Sequence, residues 1–566
     1  MDFKNEIAII LNNYLENLAM EDILSLIEIP PNVEMGDYAF PCFRLAKEFR
    51  KSPNQIALEL AEKIEKPEFV GEIKNLGGYV NFFLNKNVWV SDVIGSCIAE
   101  GEELGKTGFG QNRTTIIEYS SPNIAKPFHI GHIRTTVIGH SLHRLYKFMG
   151  FNTVAINHLG DYGTQFGKLI VAYKAWGDRS VIEKDPINEL LKLYIEFHDK
   201  AEENPEMEDQ AREWFKKLED KDPEATELWQ WIRDVSLKEF NKVYEMLGIE
   251  YDSFAGESFY SDKMPSVIKQ LEEKGILQDS QGAKIVDLEE HGMPPALIMK
   301  KDGSTLYITR DIAAALYRKE TYDFYKNIYV VGTPQELHFR QWKKIVELMG
   351  NEWAKDCIHV QFGTVSLEEG TLSTRKGRVV FLEDVLNRAI EKTKEIIKQK
   401  NPDLENIDNV AKQVGVGAIV FQELSNSRIK DYQFSWERTL SFEGETGPYV
   451  QYTHARCCSI LKKSGFEVTG DIDYSLLSSN EDVVEIVRVL DSFESVLLRA
   501  QGKNEPHHVA RFALDLSQAF NKFYHDNHIL NSEEDYKRAY VAVVSATKNA
   551  LKNAMWILGM EAPEKM

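Results

Sequence analysis

Ser121-Pro122-Asn123-Ile124-Ala125-Lys126-Pro127-Phe128-His129-Ile130-Gly131-His132 lies between two segments of different hydrophobic period, and that change of period decides the fold. Before it, residues 114–119 are a β-rich apolar run that predicts a strand. After it, Gly131 opens a stretch that reads as a helix ending at Gly150, and residues 153–157 predict a second short strand. Strand, helix and strand within about 45 residues make a βαβ unit, which calls for a parallel, doubly wound sheet. Such strand-to-helix junctions bind nucleotides, because the helix N-terminal N–H groups and the helix dipole favour phosphate. His129 and His132 are three apart, so a helical turn puts both imidazoles on one face, and Gly131 leaves room for an adenine to approach the backbone. Two histidines at this spacing arise often by chance, and a helix-start pair without chemistry is the bland alternative. The strand, the proline-bearing loop and the helix around them favour the functional reading.

Working outward, residues 329–331 followed by Gly332 predict another buried strand with a turn, and residues 339–348 predict its helix, so the sheet is split in sequence. Residues 178–250 are charged, with helical stretches at 214–218 and 229–247, and read as an insertion outside the sheet. Residues 1–112 read as a mixed module. Helical periodicity runs through Ile7, Ile10, Leu11 and Leu15 and again through Ile56, Leu60 and Ile64, a strand is expected at 79–84, and Gly105, Gly108 and Gly110 mark a linker. More acidic than basic residues make this module no general polyanion-binding arm. Beyond Lys394 the apolar spacing is helical to the end, as in Val483, Ile486, Val487 and Leu490, and predicts a bundle. The expected architecture is therefore α/β. A Rossmann-like parallel-sheet catalytic domain spans 113–394 with a helical insertion at about 178–250, an N-terminal α+β domain spans 1–112, and an all-α helical bundle spans 395–566.

A second constellation, Leu372-Ser373-Thr374-Arg375-Lys376-Gly377-Arg378, follows the strand-like run 361–365. Cations on a glycine-bearing loop suit a polyphosphate leaving group, for which catalysis is mainly positioning and charge stabilisation. Alone it reads first as a solvated basic turn.

Composition bounds these readings. A chain of 566 residues with 43% hydrophobic and 27% charged residues is ordinary globular protein of several domains. Its net charge of −21 repels polyanions, so any nucleic-acid contact has to come from local basic patches. Five scattered cysteines without a C-x-x-C pair suggest neither disulfides nor zinc, and point to a reducing compartment. His454 with Cys457 and Cys458 reads as a set of helix residues, and no metal site is expected. No window approaches 18 uninterrupted apolar residues and the N-terminus lacks a basic region before an apolar stretch, so neither export nor membrane anchoring is expected.

The two constellations together resemble the His-Ile-Gly-His and Lys-Met-Ser-Lys signatures of class I aminoacyl-tRNA synthetases. Residues 121–134, then Asn157-His158-Leu159-Gly160-Asp161-Tyr162-Gly163-Thr164-Gln165-Phe166-Gly167, then 372–377, resemble the arginyl-tRNA synthetases specifically. Gly36-Asp37-Tyr38-Ala39 and Arg44-Leu45-Ala46-Lys47 are similar to that family's N-terminal additional domain, Tyr449-Val450-Gln451-Tyr452-Thr453-His454-Ala455-Arg456 to the start of its helical anticodon-binding domain, and Glu561-Ala562-Pro563-Glu564-Lys565-Met566 to its ending. The resemblance implies ATP-dependent activation of L-arginine with Mg2+, transfer to the terminal ribose of tRNA(Arg), a cytoplasmic location and a monomer. It implies His129, His132, Lys126, Lys376 and Arg375 as catalytic residues, and Gly131, Ser373, Thr374, Lys376 and both histidines as ATP contacts. It further implies Glu118, Asn123, His129, Tyr307, Asp311 and Gln335 as the arginine pocket, and tRNA contact by residues 1–112. A guanidinium is a planar fork of five donors, so a pair of carboxylates such as Glu118 and Asp311 is the acceptor chemistry it needs.

One departure stands out. Aligned on Lys-Met-Ser-Lys, this chain has Thr371, Leu372, Ser373 and Thr374, so the final lysine is absent. The resemblance implies Lys126 as its substitute, with Lys376 and Arg375 sharing the leaving phosphates. Two alternatives stand beside this reading: a nucleotidyltransferase with the same His-x-Gly-His loop, and a non-catalytic paralogue that binds tRNA or a protein. The first usually lacks two additional RNA-facing modules, and intact His129, Gly131, His132 and Lys376 count against the second.

Overall fold

The computed structural model describes the chain except residues 16, 302–305, 368–379, 466, 470 and 471. Contacts group it into two compact units, one of residues 1–105, 456–494 and 515–551, the other of residues 106–455, 495–514 and 552–566. These units are built from discontinuous segments, so they cut the chain differently from the three consecutive segments read in the sequence.

In the first unit, β1 (Tyr38–Pro41), β2 (Val70–Leu76) and β3 (Tyr79–Leu84) form an antiparallel sheet in the order β1-β3-β2. Gly77, at φ +64°, makes the tight β2–β3 turn, which demands a left-handed residue. The helix Pro53–Lys63 starts behind Ser52, whose side chain accepts the Gln55 N–H at 3.3 Å, and it buries Ile56, Ala57 and Leu60. The helix Lys86–Glu100 meets the helix Glu481–Asp491 through Trp89, whose Nε1 donates to Asp491 at 3.0 Å. Burial pushes the Asp491 carboxyl up to about 6. Asp37, in the first quoted N-terminal motif, pairs with Arg488 at 3.1 Å and accepts the Leu84 N–H at 2.9 Å, which gives it a structural task.

The second unit holds the parallel sheet. β4 (Thr114–Glu118), β5 (Asn152–Ile156), β9 (Lys326–Val330) and β10 (Cys357–Val360) lie in the order β10-β9-β4-β5, every pair parallel. The chain leaves β4 for β5 on one side and returns for β9 on the other, so the strand order reverses between β4 and β9. Open α/β sheets bind ligands beyond the carboxyl ends of the strands at this switch point. The helix Ile133–Phe148 makes the β4–β5 crossover and is buried over most of its length. On the sheet's other contacts, Ile116, Ile156, Ile312, Tyr329, Trp342 and Cys357 share one apolar cluster with the helices Tyr307–Tyr322 and Glu336–Leu348.

Between β5 and β9 run the helices Thr164–Trp176, Pro186–Glu203, Glu206–Glu219 and Pro223–Leu247, then a small antiparallel sheet of β6 (Leu277–Ser280), β7 (Ala283–Val286) and β8 (Ala296–Met299). The split sheet, the helical insertion and the helical C-terminal tract are as the sequence predicts. The strand expected at 361–365 is not formed. β10 ends at Val360, and Val365–Leu367 is a separate strand, β11, paired in parallel with β12 (Tyr432–Phe434). Phe362 O still accepts the Thr333 N–H at 3.3 Å, but Gly363 turns to another segment: its N–H donates to Arg428 O at 2.8 Å, and a Cβ there would lie 2.6 Å from Ile429 O.

Candidate active site

The switch point is built around the quoted motif. Past Glu118 the chain places Ser120 (φ +70°), Ser121 (φ +49°) and Ala125 (φ +59°) in the left-handed region. Such strain in non-glycine residues persists only where neighbours over-determine it. They do so here. The Ser120 N–H donates to Thr135 Oγ1 at 3.1 Å, and Thr135 Oγ1 donates to Val330 O at 2.7 Å, so one threonine joins the ends of β4 and β9. Ser120 Oγ lies 2.8 Å from Tyr244 OH, which also accepts from Asn157 Nδ2 at 3.0 Å. The Ala125 N–H donates to Ser236 Oγ at 3.2 Å. Ser236 and Tyr244 belong to the helix Pro223–Leu247, so the helix read as a peripheral insertion is a wall of the site.

The second matched stretch lies alongside. The Ile124 N–H donates to Gly160 O, and the Gly160 N–H to Pro122 O, both at 3.1 Å. A Cβ on Gly160 would stand 2.1 Å from Asn123 Oδ1, so a side chain there would displace the Asn123 amide. Asp161, fully buried, accepts from Ser258 N at 2.8 Å, Ser258 Oγ at 2.9 Å and Arg233 Nε at 3.2 Å.

His129 caps the short turn Ile130–His132: its Nδ1 accepts the Gly131 N–H at 3.0 Å. His132 Nδ1 accepts the His129 N–H at 3.2 Å, and the ring centroids are 4.1 Å apart. The Gly131 N–H occupies His129 Nδ1, so the neutral His129 ring carries its proton on Nε2 as a donor for a ligand, whereas His132 Nδ1 lies 3.2 Å from both the N–H and the carbonyl oxygen of His129, contacts that suit either tautomer. Burial, reinforced by His129, pushes the His132 imidazole down to about 3, and burial lowers His129 as well. Both rings are therefore neutral near pH 7. A Cβ on Gly131 would stand 2.8 Å from the His129 ring, so the glycine protects the histidine's position as well as leaving space. Lys126 and Asn123 are exposed beside them.

Ser373, Thr374, Arg375 and Lys376 lie outside the described residues. The segment just after them is anchored at the histidines: the Ile130 N–H donates to Val380 O at 3.1 Å, and the Leu382 N–H to Phe128 O at 2.9 Å.

The carboxylates come from two elements. Glu118 ends β4, is nearly buried, and bonds Arg318 Nη2 at 2.6 Å. Asp311 lies on the helix Tyr307–Tyr322 two turns before Arg318, hence on the same face and about 10 Å along the axis. This helix begins at Tyr307 behind Leu306, so Asp311 is inside the helix and is not its N-cap. Its Oδ2 is bonded by His338 Nε2, and the His338 ring lies 4.8 Å from that of Tyr307, which is largely exposed. Gln335 is exposed in the turn Thr333–Gln335 just beyond β9. Glu118 thus stands at the carboxyl end of β4, and the two histidines and Gln335 lie in the segments that follow β4 and β9. Sequence reasoning missed Thr135, Ser236, Tyr244, His338 and Arg318. Of these only Arg318 carries a local signal, its spacing of two helical turns from Asp311.

Among the described residues no group of three or more His, Cys, Asp or Glu side chains is placed to hold a metal, and no helix is long and apolar enough to cross a membrane.

Residues 94–436 match the class I (R) tRNA synthetase catalytic domain, residues 3–84 the arginyl-tRNA synthetase N-terminal domain, and residues 450–566 the DALR anticodon-binding domain. The chain belongs to the arginyl-tRNA synthetases. It is 65% identical to the arginine–tRNA ligase of Clostridioides difficile and 60% identical to that of Halothermothrix orenii, in each case over 100% of both chains. Its fold is that of the Thermus thermophilus arginyl-tRNA synthetase, with TM-score 0.80, 24% identity and 100% of both chains covered. The Plasmodium falciparum arginyl-tRNA synthetase gives TM-score 0.82 at 24% identity, covering 100% of this chain and 98% of that one. Family membership places the switch-point crevice in a class I catalytic domain and bears out the resemblance read from the motifs.

Proposed function

We propose that this chain is an arginine–tRNA ligase that joins L-arginine to tRNA(Arg) at the expense of ATP, with the β4–β9 switch-point crevice as its active site. The observation that carries this is full-length identity of 65% to a curated arginine–tRNA ligase, joined to the neighbouring His129 and His132 rings and the Glu118 carboxylate at that crevice. The arginine carboxylate attacks the α-phosphorus of ATP, forming arginyl-adenylate and releasing pyrophosphate. The tRNA terminal ribose hydroxyl then takes the arginyl group and AMP leaves. No covalent enzyme intermediate is needed, so the protein orients the reactants and stabilises charge.

In this reading the Nε2–H groups of His129 and His132 donate to phosphate oxygens on which negative charge accumulates, beside Gly131. Lys126, Arg375 and Lys376 hold the departing pyrophosphate, and Ser373 and Thr374 contact ATP. Mg2+ arrives with ATP, offsetting triphosphate charge. Glu118 and Asp311 accept the guanidinium, Tyr307 packs along its stem, and Asn123, His129 and Gln335 hold the amino and carboxylate ends. Residues 1–112 contact tRNA. The chain acts as a monomer in this reading, as the family resemblance implies, and five free cysteines together with tRNA as substrate support the cytoplasm. The test is ATP–pyrophosphate exchange across the amino acids, with and without tRNA. Exchange dependent on arginine supports the proposal; exchange driven by another amino acid, or by none under either condition, overturns it.

A further inference from the structure

Glu118 does not face the crevice alone. Its Oε2 receives Arg318 Nη2 at 2.6 Å, and the Arg318 side chain is fully buried while that of Glu118 is 9% exposed. Arg318 makes few other polar contacts: its Nη2 lies 3.4 Å from His158 Nδ1, and its Nε and Nη1 are buried without hydrogen-bond partners. Its guanidinium is instead walled by Tyr329 and Tyr260, 5.4 and 5.9 Å from the ring centroids. A buried guanidinium whose close ion pair is one carboxylate has that carboxylate as its main task, because an unpaired buried charge is strongly unfavourable. The neighbouring charges pair among themselves, Arg310 with Glu257 at 2.9 Å and Arg233 with Asp161 at 3.2 Å. Asp311, in contrast, is 31% exposed on its side chain and is bonded by a histidine.

We infer that Arg318 is a positioning residue for arginine recognition: it fixes one oxygen of Glu118 from behind and balances its charge, so that the pocket matches a single substrate guanidinium. This rests on the proposed role of Glu118. Glu118, Asp311 and Arg318 together carry one net negative charge, which one arginine side chain cancels when His338 is uncharged. Without Arg318, Glu118 would be a nearly buried carboxylate lacking a counter-ion, and such a group is neutralised by taking up a proton. The neutral acid offers the substrate little more than a glutamine would.

The test is a double-mutant cycle on Arg318→Met and Glu118→Gln, read as KM for arginine, KM for ATP and kcat in pyrophosphate exchange, with thermal unfolding as the fold control. Arg318→Met and Glu118→Gln should each raise the arginine KM on the order of tenfold or more, with the ATP KM unchanged. The double variant should be no worse than either single one, because Arg318 acts through Glu118. Arg318→Lys, which keeps a charge but loses the fork, should fall between wild type and Arg318→Met, and it serves as the readout if the methionine variant does not fold. A raised arginine KM in Glu118→Gln with an unchanged or lowered one in folded Arg318→Met overturns the inference alone, as do additive effects in the double variant. An unchanged arginine KM in Glu118→Gln overturns the pocket assignment, and the inference with it.

Discussion

Replacing His132 by alanine removes two things that the structure keeps distinct. One is the ring's donor to phosphate, which requires the proton on Nε2, with Nδ1 accepting the His129 N–H at 3.2 Å. Loss of one preorganised donor to charge developing in a transition state costs about 10² to 10³ in rate, or roughly 2.7 to 4 kcal/mol. The other is the acceptor of the His129 N–H, whose loss costs about 1 to 3 kcal/mol of stability where water cannot replace it. Since the donor acts on phosphate and not on the guanidinium, kcat for exchange should fall by the full factor while the arginine KM changes far less. Because burial holds the His132 ring neutral down to about pH 3, its ionisation should not shape the rate profile between about pH 5 and 9. Pyrophosphate exchange at saturating arginine and ATP, with urea unfolding in parallel, reads both effects. Wild-type kcat in a folded His132→Ala protein would refute the donor role, and so would a loss confined to the arginine KM.

Three further outcomes follow from the geometry. Asp311→Asn should weaken arginine about tenfold to over a hundredfold while leaving ATP binding unchanged, since hydrogen bonds to charged groups contribute about 1.5 to 3 kcal/mol; separate arginine and ATP titrations of the variant check it. Lys126→Ala and Lys376→Ala should each depress adenylate formation and combine less than additively if both hold the same leaving phosphates, and a wild-type rate for Lys126→Ala would shift that task to Lys376 or Arg375. His140, fully buried with both ring nitrogens unpartnered, is held well below 6.5 by burial, and burial also pushes His143 down to about 4. The unfolded chain binds these protons first, so stability is intact above about pH 6.5 and falls as pH drops below it; His140→Leu should flatten that fall in a series of unfolding midpoints measured between pH 7 and 5.

The sequence carried what is local. The strand, proline loop and helix around His129 and His132 were legible because period and turn chemistry change within a few residues, and the split between β4–β5 and β9–β10 followed from a second apolar run ending at Gly332. Residues whose task is to hold another segment were not legible. Thr135 bonds the ends of two strands, and Ser236 and Tyr244 reach the loop from more than a hundred residues away in sequence, so no window contains both partners. For the same reason residues 361–365 read as a strand: the run is apolar enough, but the partner of the Gly363 N–H is Arg428 O. Glu118 and Asp311 could be nominated from the resemblance. His338, which bonds Asp311, and the pairing of Arg318 with Glu118 appear only once the helices Tyr307–Tyr322 and Glu336–Leu348 are in place, although the spacing of Arg318 from Asp311 is legible in the sequence.

The most direct test of the account is aminoacylation of purified tRNA(Arg) by the full-length protein with ATP and each labelled amino acid in turn. The account predicts label from arginine alone in the tRNA, with lysine rejected because a point-like ammonium cannot satisfy two separated acceptors. Charging with another amino acid, or no charging with arginine by folded protein, would contradict it.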